Sequence, residues 1–94
     1  LISLMRQAGS LQVVSVSPSP TTDFVNITFN QPTNSITELV VTDVAGKLMT
    51  KKLIEGVSGK NVYKLDATNY AAGIYFVNIV NGNDATSTRF MKKD

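Results

Sequence analysis

The sequence has no cysteine, no histidine and no tryptophan among its 94 residues. The first two absences remove Ser-His-Asp and Cys-His nucleophile systems, imidazole and thiolate zinc sites, and any disulfide framework. What remains for catalysis is a Ser-Lys pair or a carboxylate pair, and each needs a desolvated cleft to shift its pKa. A chain this short seldom encloses such a cleft, so neither an enzyme nor a bound cofactor is expected. Charge of one sign is also scarce. Nine basic and seven acidic residues leave a net charge of +2, too weak and too interspersed to steer a polyanion, and nucleic acid is not an expected partner. No apolar run approaches a membrane span. The opening Leu1-Ile2-Ser3-Leu4-Met5-Arg6 has no basic n-region, long apolar stretch or small-residue cleavage site. With no Met at position 1, the chain reads as a module appended to a longer protein, without an N-terminal export signal of its own.

What is present is enough apolar sequence for one small core: hydrophobic residues make up 43% of the chain, and the length suits one domain. Apolar residues recur at strand spacing in short runs broken by Gly, Pro, Asn and Asp, and no ten-residue segment carries a helical period. The pattern predicts seven strands, at Leu11–Ser17, Phe24–Asn30, Ile36–Asp43, Lys47–Ile54, Asn61–Leu65, Ile74–Val80 and Ala85–Met91. In the second, Val25, Ile27 and Phe29 alternate with Asn26, Thr28 and Asn30, so one face turns inward and the other meets water. Ile74–Val80 is the most apolar run and is expected in the middle of a sheet. Seven short strands in this length predict an all-β fold, an immunoglobulin-like β-sandwich of antiparallel strands in two sheets. Its core lacks the Cys-Trp-Cys set of antibody domains. Residues 1–10 carry no strand punctuation and read as a linker ahead of a domain at 11–94.

The turns have identifiable chemistry. Pro18 and Pro20 stop the first strand because proline cannot donate to a ladder, and Thr21, Thr22 and Asp23 can bond nearby backbone before the next one. Asp43 and Gly46 bracket a tight hairpin in which Gly46 takes a positive φ. Asn81-Gly82 predicts a type I′ turn. Gly73 is expected where a side chain is forbidden by conformation or crowding, and Tyr75 where a buried ring ties its hydroxyl to backbone. The carboxylates Asp23, Asp43, Asp66 and Asp84 all fall at turns, a spacing that shows no convergence on a metal ion. At the end of the chain, Arg89-Phe90-Met91-Lys92-Lys93-Asp94 alternates charge and bulk, as in an edge strand whose basic residues discourage pairing.

In order and separation these segments resemble a known family from about Leu11 to Asp94. They are Val16-Ser17-Pro18-Ser19-Pro20-Thr21-Thr22-Asp23, Val41-Thr42-Asp43-Val44-Ala45-Gly46-Lys47, Leu65-Asp66, Asn69 through Ala72-Gly73-Ile74-Tyr75-Phe76-Val77, and Arg89-Phe90-Met91-Lys92-Lys93. The sequence resembles the C-terminal sorting domain, type A, of the type IX secretion system of certain Gram-negative bacteria. Two departures stand out: the family's Pro-Asn-Pro is Pro18-Ser19-Pro20 here, and its Lys-x-x-Lys is Arg89-Phe90-Met91-Lys92.

The resemblance implies a signal with a fold. It implies a domain that ends a larger cargo protein, crosses the periplasm, is recognised by the outer-membrane translocon and is removed by a sortase-like cysteine peptidase. The cargo is then released or joined to an anionic lipopolysaccharide at the cell surface. By matched position, Gly73 and Tyr75 would set the final strand pair, and Arg89, Lys92 and Lys93 would present the basic terminal strand to a receptor. Recognition by strand addition is expected, because an exposed terminal strand offers unpaired backbone groups; the same strand could pair or swap between copies. Processing is expected in the segment before Leu11, where Ala8, Gly9 and Ser10 are small. The alternative is an immunoglobulin-like spacer, adhesion or carbohydrate-binding module of a secreted enzyme, the last of which would need an exposed aromatic row.

Overall fold

The computed structural model describes residues 11–94. The expected linker, with Ala8, Gly9 and Ser10, lies outside the described residues. Seven strands follow in order: β1 (Gln12–Ser17), β2 (Phe24–Gln31), β3 (Ser35–Asp43), β4 (Leu48–Gly56), β5 (Gly59–Asp66), β6 (Gly73–Asn81) and β7 (Asp84–Lys92). They form two antiparallel sheets, β1-β2-β5 and β4-β3-β6-β7. This is the expected β-sandwich, with β6 in the interior of its sheet. Consecutive strands β4 and β5 belong to different sheets, joined by Val57-Ser58 alone.

The alternation seen in sequence becomes the core. Val25, Ile27 and Phe29 of β2 and Leu65 of β5 face Leu39 and Val41 of β3, Val77 and Ile79 of β6 and Phe90 of β7, all buried. Period-2 spacing puts each set on one side of its strand. β1 departs from strict alternation: a register shift between Val13 and Ser15 lets both Val13 and Val16 lean on the core while Val14 stays exposed. The extra residue of a bulge re-aims the side chains that follow it.

Two turns frame the strands. In the β3–β4 hairpin, Asp43 Oδ1 accepts from the amides of Ala45 (2.9 Å) and Lys47 (2.8 Å), and Gly46 has the expected positive φ of 87°. The β6–β7 turn differs from expectation. Asn81 pairs with Asp84, so the two central residues are Gly82 and Asn83, and only Gly82 has a positive φ, 61°. That is the type II′ pattern, with glycine at the first central position. Asn81 is held in the strand because its buried side chain donates to Ser35 Oγ and Thr37 Oγ1, both at 2.9 Å.

The same amide belongs to a buried polar cluster that closes one end of the sandwich. Thr37 Oγ1 donates to Gln31 Oε1 (2.6 Å), and Gln31 Nε2 donates to the carbonyls of Thr33 (2.7 Å) and Ser35 (3.0 Å). Gly56 of β4 lies against that glutamine, where a Cβ would overlap its side-chain amide.

Candidate functional site

The residues singled out from sequence meet at the opposite end. Tyr75 pairs with Asp43 on one side and Phe90 on the other, and Gly73 pairs with Lys92. Alternation turns Tyr75 inward, where its ring stacks on Phe90 (centroids 5.6 Å apart) and tilts against Tyr70 (4.9 Å). Its hydroxyl donates to the Ala71 carbonyl at 2.6 Å, the expected tie to backbone. Gly73 opens β6 at φ 154° with open space where a Cβ would sit, so its conformation, not crowding, favours glycine.

Lys92 is not presented to solvent. It is 5% exposed, and its Nζ donates to the Tyr70 carbonyl at 3.0 Å. The cause is register: Lys92 lies two residues after Phe90, on the same inward face of β7. Arg89, Met91 and Lys93 are exposed. The terminal basic triplet therefore divides into one buried structural cation and two outward ones.

The outer edge of β7 is also not fully open. The Pro18-to-Asp23 corner folds over it. Thr21 N donates to Met91 O (2.8 Å), Lys93 N donates to Thr21 O (2.9 Å), and Met91 N donates to Ser19 Oγ (3.2 Å). This parallel bridge satisfies the outward-pointing backbone of residues 91 and 93. Thr21 itself is buried, its hydroxyl donating to the Phe24 carbonyl. Asp23 fastens the corner to the other sheet: its carbonyl accepts from Ala67 N (2.7 Å) and its Oδ1 from Phe24 N (2.6 Å). Nearer the start of β7 the corner gives way to a groove of about 490 Å³, lined by Gln12–Val16 of β1 and Thr86–Thr88 of β7. The corner thus covers the second half of β7, while β1 flanks the first half across this groove.

Charge and titration follow from these contacts. Among the described residues the ion pair is Lys51–Glu38 (3.4 Å), leaving Arg89 without an acidic partner. Burial pushes the Tyr70 phenol above its ordinary value of 10.0, opposed by its hydrogen bond to Thr50. Thr68 donates to Asp66 Oδ1 from its hydroxyl (2.6 Å) and amide (3.0 Å), holding that carboxyl below its ordinary 3.8. The exposed aromatics Phe24 and Phe76 lie on different sheets and form no row.

Sequence reasoning missed Tyr70 and Gln31, and for Thr21 it foresaw the bond to nearby backbone but not the bridge to β7. Thr21 carried a signal, since Thr-x-Asp after a proline commonly folds back on its own backbone. Tyr70 carried none, because its partners Thr50 and Lys92 are remote in sequence, and Gln31 carried none, because its bonds to Thr33, Ser35 and Thr37 exist only once the turn into β3 folds back over its side chain.

No individual curated protein matches the chain. A family model described as the secretion system C-terminal sorting domain matches residues 15–93, from the second half of β1 through the corner to the end of β7. Such a domain is attached to a larger cargo protein, engages the type IX secretion machinery and directs export to the cell surface or beyond. The family is one of signals, not of enzymes, and the chain belongs to it: it is a C-terminal sorting domain of type IX secretion.

Proposed function

We propose that this domain is the address label of a cargo that crosses the periplasm, is read by the outer-membrane translocon while the domain is folded, and is freed when a sortase-like cysteine peptidase cuts ahead of Leu11. The observation that carries this reading is the joining of the family match to a closed sandwich whose basic end displays Arg89 and Lys93. Tyr75 supports that end from inside, Gly73 opens the strand that carries it, and Lys92 locks it. Cleavage requires extended, unpaired backbone, and Ala8, Gly9 and Ser10 precede the first strand. The cargo is then released or joined to an anionic lipopolysaccharide.

A reporter carrying residues 1–94 at its C-terminus, expressed in a host with this secretion system, is expected at the surface or in the medium. The reporter alone stays in the periplasm. The first residue of the liberated domain, read by N-terminal sequencing, is expected between positions 8 and 11. Retention of both reporters would overturn the sorting reading, and an intact fusion in the medium would overturn the processing step.

A further inference from the structure

The two outer faces of the sandwich differ in character. On the β1-β2-β5 face, the exposed apolar residues Phe24 and Val62 stand apart, separated by the Asn26–Lys64 pair, and Ser17, Asn30 and Lys60 lie around them. On the β4-β3-β6-β7 face, pairing sets Leu48, Thr42, Phe76 and Arg89 in one row across all four strands, with Ile74 and Met91 paired beside them. Leu48 is 55% exposed, Met91 46% and Phe76 38%. Beside this row, Ile74, Phe90, Met91, Arg89 and Ser19 line a notch of about 230 Å³, a size that suits one side chain.

We infer that this outer face, centred on Phe76, Met91 and Arg89, is the surface by which the domain docks on the protein that reads it, and that this partner inserts an apolar side chain flanked by a carboxylate. The inference rests on the sorting reading above. Exposed apolar area rimmed by polar groups marks an interaction site. The unpaired Arg89 guanidinium beside it calls for an anion, and guanidinium holds carboxylate in bidentate geometry. A second copy of this chain is the wrong occupant, because a two-fold contact brings the same patch to both sides, and no carboxylate stands among its residues Leu48, Thr42, Ile74, Phe76, Arg89 and Met91 to meet the guanidinium. The edge of β7 is the weaker candidate, since the corner already occupies its outward backbone at residues 91 and 93.

The test compares face and edge in the reporter fusion, with trypsin resistance of each purified 94-residue chain as the check on folding. Phe76→Ser with Met91→Ser, and separately Arg89→Glu, are expected to lower export at least tenfold while the chain stays folded, and Arg89→Lys to lower it less than Arg89→Glu. Ser87→Pro, which blocks strand addition at an edge position that tolerates proline, is expected to leave export unchanged. Normal export of the face variants, or loss of export by Ser87→Pro alone, would overturn the docking face. Retention of the unaltered fusion would instead overturn the sorting assignment. Sedimentation showing a dimer of the unaltered chain that Phe76→Ser disperses would assign the face to self-association and overturn the partner.

Discussion

Among single residues, Lys92 shows how far position within a strand decides a charge's role. Its stem lies inward and its ammonium donates to the Tyr70 carbonyl in a partly buried setting, so it acts on stability. Lys92→Ala should cost about 1–3 kcal/mol, the range for a partly buried acceptor left unpaired, whereas Lys93→Ala should stay within about 0.5 kcal/mol, as exposed substitutions do. Urea unfolding of the two variants checks the contrast. Tyr70 gives a second expectation. Its phenol is held above its ordinary value of 10.0 in the folded chain, chiefly by burial. A raised folded pKa stabilises the neutral form, so the contribution is complete below pH 10 and is lost as pH climbs through the folded value. Ultraviolet titration should therefore find a late-ionising tyrosine, absent in Tyr70→Phe.

At the scale of elements, the corner between β1 and β2 does more than stop a strand. Two prolines end the pairing of β1, and the next residue, Thr21, begins a parallel bridge with the far end of β7. The first and last segments of the domain are thereby joined, and an edge that would otherwise invite pairing is covered. Thr21→Val keeps the bulk and the backbone bridge but removes a hydroxyl that holds the turn through Phe24 O and Asp23 N. Loss of about 0.5–2 kcal/mol is expected. Hydrogen exchange at the amides of Thr21 and Lys93 should quicken more than at β6, because local opening begins where few contacts hold the backbone.

The whole molecule is a sandwich in which the last strand completes the core. Phe90 is one of its largest fully buried side chains, and β7 pairs with β6 along its full length. Ending the chain at Thr88 removes Phe90, Lys92 and the partners of Thr21 together. Loss of a buried phenylalanine alone costs about 3–5 kcal/mol, against a total of about 5–15 kcal/mol for an ordinary domain. Circular dichroism of residues 1–88 should show an unfolded chain at 25 °C. Loss of export by that truncation therefore reports unfolding, and only point changes at exposed positions such as Arg89, Lys93 and Phe76 separate recognition from folding.

Several features were legible in sequence for local reasons. Period-2 alternation selected Val25, Ile27, Phe29, Val77 and Ile79 for the interior, and turn chemistry marked Gly46 and the Pro18–Pro20 corner. Matched motifs along the chain carried the family assignment. Other features depend on contacts between strands far apart in sequence. The clip of Thr21 on Met91 and Lys93, and the bonds of Asn81 to Ser35 and Thr37 at the opposite end, join partners 44 to 72 positions apart. The turn at Gly82-Asn83 shifted by one residue because Asn81 bonds across to β3. The row of Leu48, Phe76 and Arg89 on one face exists only through the pairing of four strands. Local sequence thus determined which residues form strands and which of their faces is apolar, since alternation and backbone propensity act between neighbours. Tertiary structure alone decided which edges are covered and which charges reach solvent, because both depend on the register between segments that the chain itself holds apart.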